Sequence, residues 1–96
     1  MAEQKHVVYM LKCKDSSLYT GYSNNFEQRL KLHESGKGAK YTRGRGPFEV
    51  VLLQQFPTKE EAMKKEYEIK QLSRTEKILL IQQYKEGLEN EHTKEL

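Results

Sequence analysis

Two runs rich in β-branched and aromatic residues, His6–Cys13 and Leu18–Tyr22, stand either side of Lys14-Asp15-Ser16-Ser17. Asp and Ser side chains bond nearby backbone groups and favour a turn. So short a connection between two strand-like runs predicts an antiparallel hairpin. Its register stays open, because the turn is not of a two-residue type.

The rest of the chain alternates in a readable way. Ser23-Asn24-Asn25 offers helix caps; with Asn24 as the cap, a helix is expected over Asn25–Glu34, with Glu27 at its third position. Phe26, Leu30 and His33 share one face of it. Gly36 and Gly38 end this helix and open a loop from Ser35 to Pro47. Phe48–Phe56 is a third strand, apolar at consecutive positions through its middle, which predicts a central place with both faces covered. Thr58 and Glu61, then Ser73 and Glu76, form capping boxes that start two further helices. The last of these is expected to stop at Gly87, leaving a charged, frayed tail over 88–96 beyond a domain spanning 1–87. The order β-β-α-β-α-α predicts a single α+β domain, a mainly antiparallel three-stranded sheet flanked by helices.

Ninety-six residues suffice for one small core. No run is long and apolar enough to cross a bilayer, and the first six residues lack the apolar centre of a signal peptide. Cys13 is the only cysteine; a lone thiol without an export signal suggests a reducing, cytoplasmic location. Net charge is only +3, but its distribution is uneven. Arg29 to Arg45 holds six basic residues (Arg29, Lys31, Lys37, Lys40, Arg43, Arg45) and one acid, Glu34. That local excess suits either a phosphate-tracking surface or an ordinary solvated one. Tyr41 and Phe48 in or beside it could stack on bases.

The candidate chemical groups fit phosphodiester hydrolysis. That reaction needs a deprotonated water, a clamp on the charge building at phosphorus, and help for the leaving oxygen. Tyr9 and Tyr19 supply phenols, which are poor bases unless a cation lowers their ordinary pKa of about 10. Arg29 offers a planar, permanently charged fork for a phosphate, and His33 follows one turn later on the same face. Glu66 shares an otherwise inward helix face with Ala62, Met63 and Ile69, and one carboxylate plus waters is a usual hold on Mg²⁺. Each has a plainer alternative: half-buried strand tyrosines, a surface arginine, a helix-end histidine, and a Glu66–Lys70 pair at i+4. The histidines His6, His33 and His92 lack zinc spacing, and no glycine-rich nucleotide loop follows a strand.

Over roughly Lys5 to Ser73 the chain resembles the GIY-YIG nuclease superfamily, most closely its small stand-alone bacterial members of uncharacterised role. The matching text is Val7-Val8-Tyr9, Tyr19-Thr20-Gly21, Asn25-Phe26-Glu27-Gln28-Arg29-Leu30 and Ala62-Met63-Lys64-Lys65-Glu66, with Gly36 to Arg45 similar to the stand-alone subgroup. Val7 stands where the first motif has glycine, and Thr20 takes the middle of the second. The resemblance implies one divalent metal, Mg²⁺ or Mn²⁺, on Glu66. It implies Tyr19 as leading general base with Tyr9 assisting, Arg29 on the scissile phosphate, and His33 positioning water or a phosphate oxygen. Tyr41 and Thr42 would line the site, and Lys37, Lys40, Arg43 and Arg45 would bind nucleic acid, DNA before RNA. The expected function is a metal-dependent endonuclease, structure-selective, in DNA repair or recombination, with no membrane partner. Its specificity would come from a separate protein partner, since phosphate contacts position a protein without reading sequence. The alternative is a nucleic-acid-binding protein that keeps the fold without turnover.

Overall fold

The computed structural model describes residues 6–94, with side-chain surroundings up to residue 87. The elements run β1 (His6–Lys12), β2 (Leu18–Ser23), α1 (Phe26–Glu34), a 3-10 turn (Lys40–Thr42), β3 (Glu49–Phe56), α2 (Lys59–Lys70) and α3 (Arg74–Lys94). The expected order of β and α elements is therefore the observed one. The hairpin forms through the anticipated turn, where Asp15 accepts from the Ser17 backbone N–H at 3.1 Å. Its register sets Tyr9 opposite Gly21 and Leu11 opposite Tyr19.

The sheet order is β2-β1-β3, all antiparallel. β1 is thus the central strand, and the five consecutive residues Val7–Leu11 are buried. β3 lies at an edge, contrary to its predicted central place. Its consecutive apolar residues have another cause. The pairing slips between Met10, opposite Leu52, and Leu11, opposite Val50, so Val51 is the extra residue of a bulge. Val51 and Leu52 consequently both enter the same core, with Val8, Met10, Ala62, Ile69 and Ile81 under α2 and α3. The opposite face carries Val7, Tyr9 and Leu11, packed against Phe26 and Leu30 of α1 and Leu53 of β3.

The caps explain where the helices begin. Asn25, one residue later than expected, caps α1 and accepts from Gln28 N–H at 3.3 Å. Thr58 caps α2 by accepting from Glu61 N–H at 3.2 Å. Ser73 and Glu76 exchange both bonds of their capping box at 2.9 and 3.2 Å. α3 does not stop at Gly87: the backbone stays helical to Lys94, and Glu95 and Leu96 lie outside the described residues. A single interior glycine costs a helix only about 1 kcal/mol. No helix among the described residues is long and apolar enough to cross a membrane.

Two glycines should respond in opposite senses to alanine. A Cβ on Gly87 meets nothing within 4 Å, so Gly87→Ala should raise stability by roughly 0.5–1 kcal/mol in urea unfolding. A Cβ on Gly21 would sit 2.6 Å from the Tyr9 oxygen, so Gly21→Ala should cost about 1–3 kcal/mol. Equal effects from the two would contradict this packing.

Candidate active site

Tyr9 is fully buried on the central strand. Its ring crosses over the β2 backbone at Gly21, the place where a side chain would collide with the phenol. The first and second motifs are therefore coupled sterically: the glycine of one makes room for the tyrosine of the other. The phenol then meets His33 of α1, with Tyr9 Oη and His33 Nε2 2.8 Å apart.

The direction of that hydrogen bond follows from the next links. Thr42 donates its hydroxyl hydrogen to the Ala39 carbonyl at 2.9 Å. Having spent its one hydrogen, the Thr42 oxygen can only accept from His33 Nδ1–H, 2.8 Å away. A neutral imidazole protonated at Nδ1 carries its lone pair at Nε2, so Tyr9 O–H donates to His33. The chain of bonds runs one way: Tyr9 to His33 to Thr42 to the backbone at Ala39. Burial holds the His33 pKa below its usual value, with the charge of Arg29 adding to the effect, and this favours the neutral ring. Gly38 lets the loop pass over this imidazole, since a Cβ there would overlap His33 Nδ1.

Burial also pushes the Tyr9 phenol well up from its ordinary value, and Tyr19 adds to the rise. The charge of Arg29 pulls the other way, while Glu66 raises it further. Tyr19, Arg29 and Glu66 thus all stand within electrostatic reach of one buried oxygen. They arrive from different elements: Tyr19 from β2, Arg29 from α1 on one face of the sheet, Glu66 from α2 on the other. Because β2 is an outer strand, the two helices can meet around its free edge.

Tyr19 is only partly buried. Its ring lies 5.3 Å from that of His33 and stacks on Tyr41 at 5.8 Å. Arg45 extends this stack, its guanidinium 4.7 Å from the Tyr41 ring centre. Arg45 also pairs with Asp15, and its carbonyl accepts from Lys14 N–H at 2.7 Å. The loop is thereby strapped to the hairpin turn across the Tyr19 ring.

Several expected roles change with this placement. His33 is 1% exposed with both nitrogens occupied, so it is closed to water and phosphate and acts through Tyr9. Thr42, also 1% exposed, holds His33 from beneath the surface and is out of reach of nucleic acid. Arg45 is committed to Asp15 and Tyr41. Lys37, Lys40 and Arg43 are exposed on the loop, and Tyr41 is 45% exposed. Of the two departures from the motifs, Val7 packs under α1 in the same buried layer as Tyr9, and Thr20 faces the α2 side opposite Met10.

The Glu66 side chain is 15% exposed, and its carboxylate pairs with Lys70 Nζ at 2.9 Å. Among the described residues no group of three or more His, Cys, Asp or Glu could form a metal cage. A single hard oxygen donor is nonetheless the set that suits Mg²⁺, which dehydrates reluctantly and takes most of its ligands from water and substrate phosphates. The donor set therefore fits a cation that arrives with its substrate.

The buried His33 gives stability a pH dependence of definite sign. Below its usual pKa of 6.5 the unfolded chain takes up a proton that the folded ring resists. Stability is then full above about pH 6.5 and falls as pH drops through the window below it. Urea midpoints measured from pH 7.5 to 5 should show this fall, and His33→Gln should flatten it. An unchanged slope in the variant would contradict the buried neutral imidazole.

Comparison with known proteins shows the family and the fold. The family model for the GIY-YIG catalytic domain matches residues 5–79. The UPF0213 protein OB0043 of Oceanobacillus iheyensis is 62% identical over 80 residues, covering 83% of this chain and 93% of that protein. The solution NMR structure of the UPF0213 protein BH0048 from Bacillus halodurans is 60% identical, with a TM-score of 0.56 over 80% of this chain and 82% of that one. That of EF2693 from E. faecalis is 38% identical, with the same TM-score over 81% and 84%. With most of its length matched by the family model and a relative 62% identical over most of both chains, the chain belongs to the GIY-YIG family.

Proposed function

We propose that this protein is a divalent-metal-dependent endonuclease that hydrolyses DNA phosphodiester bonds. The observation that carries the reading is the cluster of Tyr9, Tyr19 and His33, with ring centres 5.3–6.2 Å apart, on the sheet face covered by α1, the helix that bears Arg29. Membership of a nuclease superfamily supports it. Arg29, exposed and with no ion pair among the described residues, binds the scissile phosphate and neutralises charge building on its oxygens. Tyr19, the phenol nearer the surface, acts as the base and takes the proton of the attacking water as its phenolate. Tyr9 is not free for that work, because its hydrogen is given to His33 and its ring is sealed from solvent. Its part is to hold Arg29 and Tyr19 in place. Glu66 would hold Mg²⁺ or Mn²⁺, which when bound supplies positive charge to the phosphoryl group and acidifies water. Exposed Lys37, Lys40 and Arg43 track neighbouring phosphates, so binding is salt-dependent and little affected by sequence. Branched, nicked or single-stranded DNA met in repair or recombination is the proposed substrate, with choice of site supplied by a protein partner.

One observation favours a second reading, binding without turnover: the Lys70 ammonium already occupies the Glu66 carboxylate. The two readings separate on a panel of plasmid, single-stranded and branched DNA with Mg²⁺ or Mn²⁺. On the nuclease reading, wild type cuts, and Arg29→Ala and Glu66→Gln each lose about a hundredfold or more while unfolding at the wild-type urea concentration. If wild type and Glu66→Gln give identical products across the panel, binding without turnover is the function. Lys70→Ala frees the carboxylate. It should lower the metal concentration needed for half-maximal cutting by about twofold to fivefold, the worth of a partly exposed pair.

A further inference from the structure

Beside Arg29, at the end of β2, lies a cavity of about 420 Å³ that shares only Arg29 with the site described above. That volume is within the usual range for small-molecule pockets. Its wall includes two cations, Arg29 and Lys59, and no Asp or Glu. The ion pairs among the described residues are Arg45–Asp15 and Lys70–Glu66, so neither wall cation is neutralised by an acid. Lys59 is moreover the first residue of α2, where the helix dipole disfavours a positive charge. Two unpaired cations facing one concavity, one of them against a helix dipole, make a site for an anion.

The remaining wall is not that of a plain anion site. Tyr22 and His6 lie nearly parallel, with ring centres 6.1 Å apart and planes at 12°, and a 2.9 Å hydrogen bond joins Tyr22 Oη to His6 Nδ1. This pair is a pre-ordered aromatic surface. Asn24 and Gln28 add carboxamides, which both donate and accept. Cations for phosphate, an aromatic surface for a base and amides for its edge together suit a nucleotide.

We propose that the cavity receives the nucleoside next to the scissile bond, with the following phosphate of the strand on Lys59. This rests on the reading of Arg29 as the scissile-phosphate clamp, since Arg29 is shared by the site and the cavity wall. One strand would then be gripped at two successive phosphates, with the intervening base against Tyr22. The cavity admits a base turned out of its stack, so single-stranded or distorted DNA is favoured over a continuous duplex.

The test is metal-free binding, measured by backbone amide NMR in the presence of a chelator. The probes are a 5′-phosphorylated thymidine dinucleotide and inorganic phosphate. The dinucleotide should shift the amides of Tyr22 to Gln28 and of Lys59, and bind at least fivefold more tightly than inorganic phosphate. Lys59→Gln should weaken the dinucleotide at least threefold and lower the log–log salt slope by about one, Lys59→Arg should restore both, and Lys64→Gln on the same helix should do neither. No shift at these amides, equal affinity for the two probes, or equal effects of Lys59→Gln and Lys64→Gln would overturn the proposal. Because no metal is present, the result stands apart from cutting. Cutting without any Lys59 effect rejects the pocket alone, and pocket binding without cutting rejects the nuclease reading alone.

Discussion

The hydrogen bond from Tyr9 to His33 is the contact on which the site depends. A buried phenol and a buried imidazole are both costly unless their polar atoms are paired. Here each satisfies the other at 2.8 Å, and the far side of the imidazole is satisfied by Thr42. The chain of bonds fixes more than position. It sets the tautomer of the ring and keeps the phenol a donor. Three separate stretches must agree for this to happen: β1 supplies the phenol, α1 the imidazole, and the loop the hydroxyl that polarises it.

The topology explains why so small a domain can gather groups from both faces of its sheet. With β1 central, the Tyr9 ring can lie across β2, and Gly21 leaves the space. With β2 at the edge, α1 and α2 approach the same rim from opposite sides. The other edge, β3, gives Leu53 to the layer around Tyr9, and its bulge serves the core beneath α2 and α3. The strap from Asp15 through Arg45 and Tyr41 to Tyr19 closes the rim on the hairpin side.

Much of this was legible in the residues. Turn chemistry at Asp15 and Ser17 and the two capping boxes led directly to observed hydrogen bonds. The element order followed. What periodicity could not show was an interruption in pairing. The apolar run Val51-Leu52-Leu53 looks the same on a central strand and on a bulged edge strand, and the bulge decided the matter. Nor does a histidine at helical spacing from an arginine reveal whether it faces outward or into the core. His33 shares its stripe with Phe26 and Leu30, and that apolar company was the available signal for burial. Thr42 and Arg45 sat in a basic loop and looked like surface residues; their partners, His33 and Asp15, are 9 and 30 residues away. Lys59 gave no sequence signal beyond a cation at a helix start.

The most direct test of the oriented chain is the ¹⁵N NMR signature of the His33 imidazole near pH 7.5. The structure predicts a neutral ring with its proton on Nδ1, and an Nε2 signal of the unprotonated, hydrogen-bond-accepting type that shifts further toward a free lone pair in Tyr9→Phe. A ring protonated at Nε2, or one charged at both nitrogens, would reverse the bond to Tyr9 and contradict the account of how the site is held.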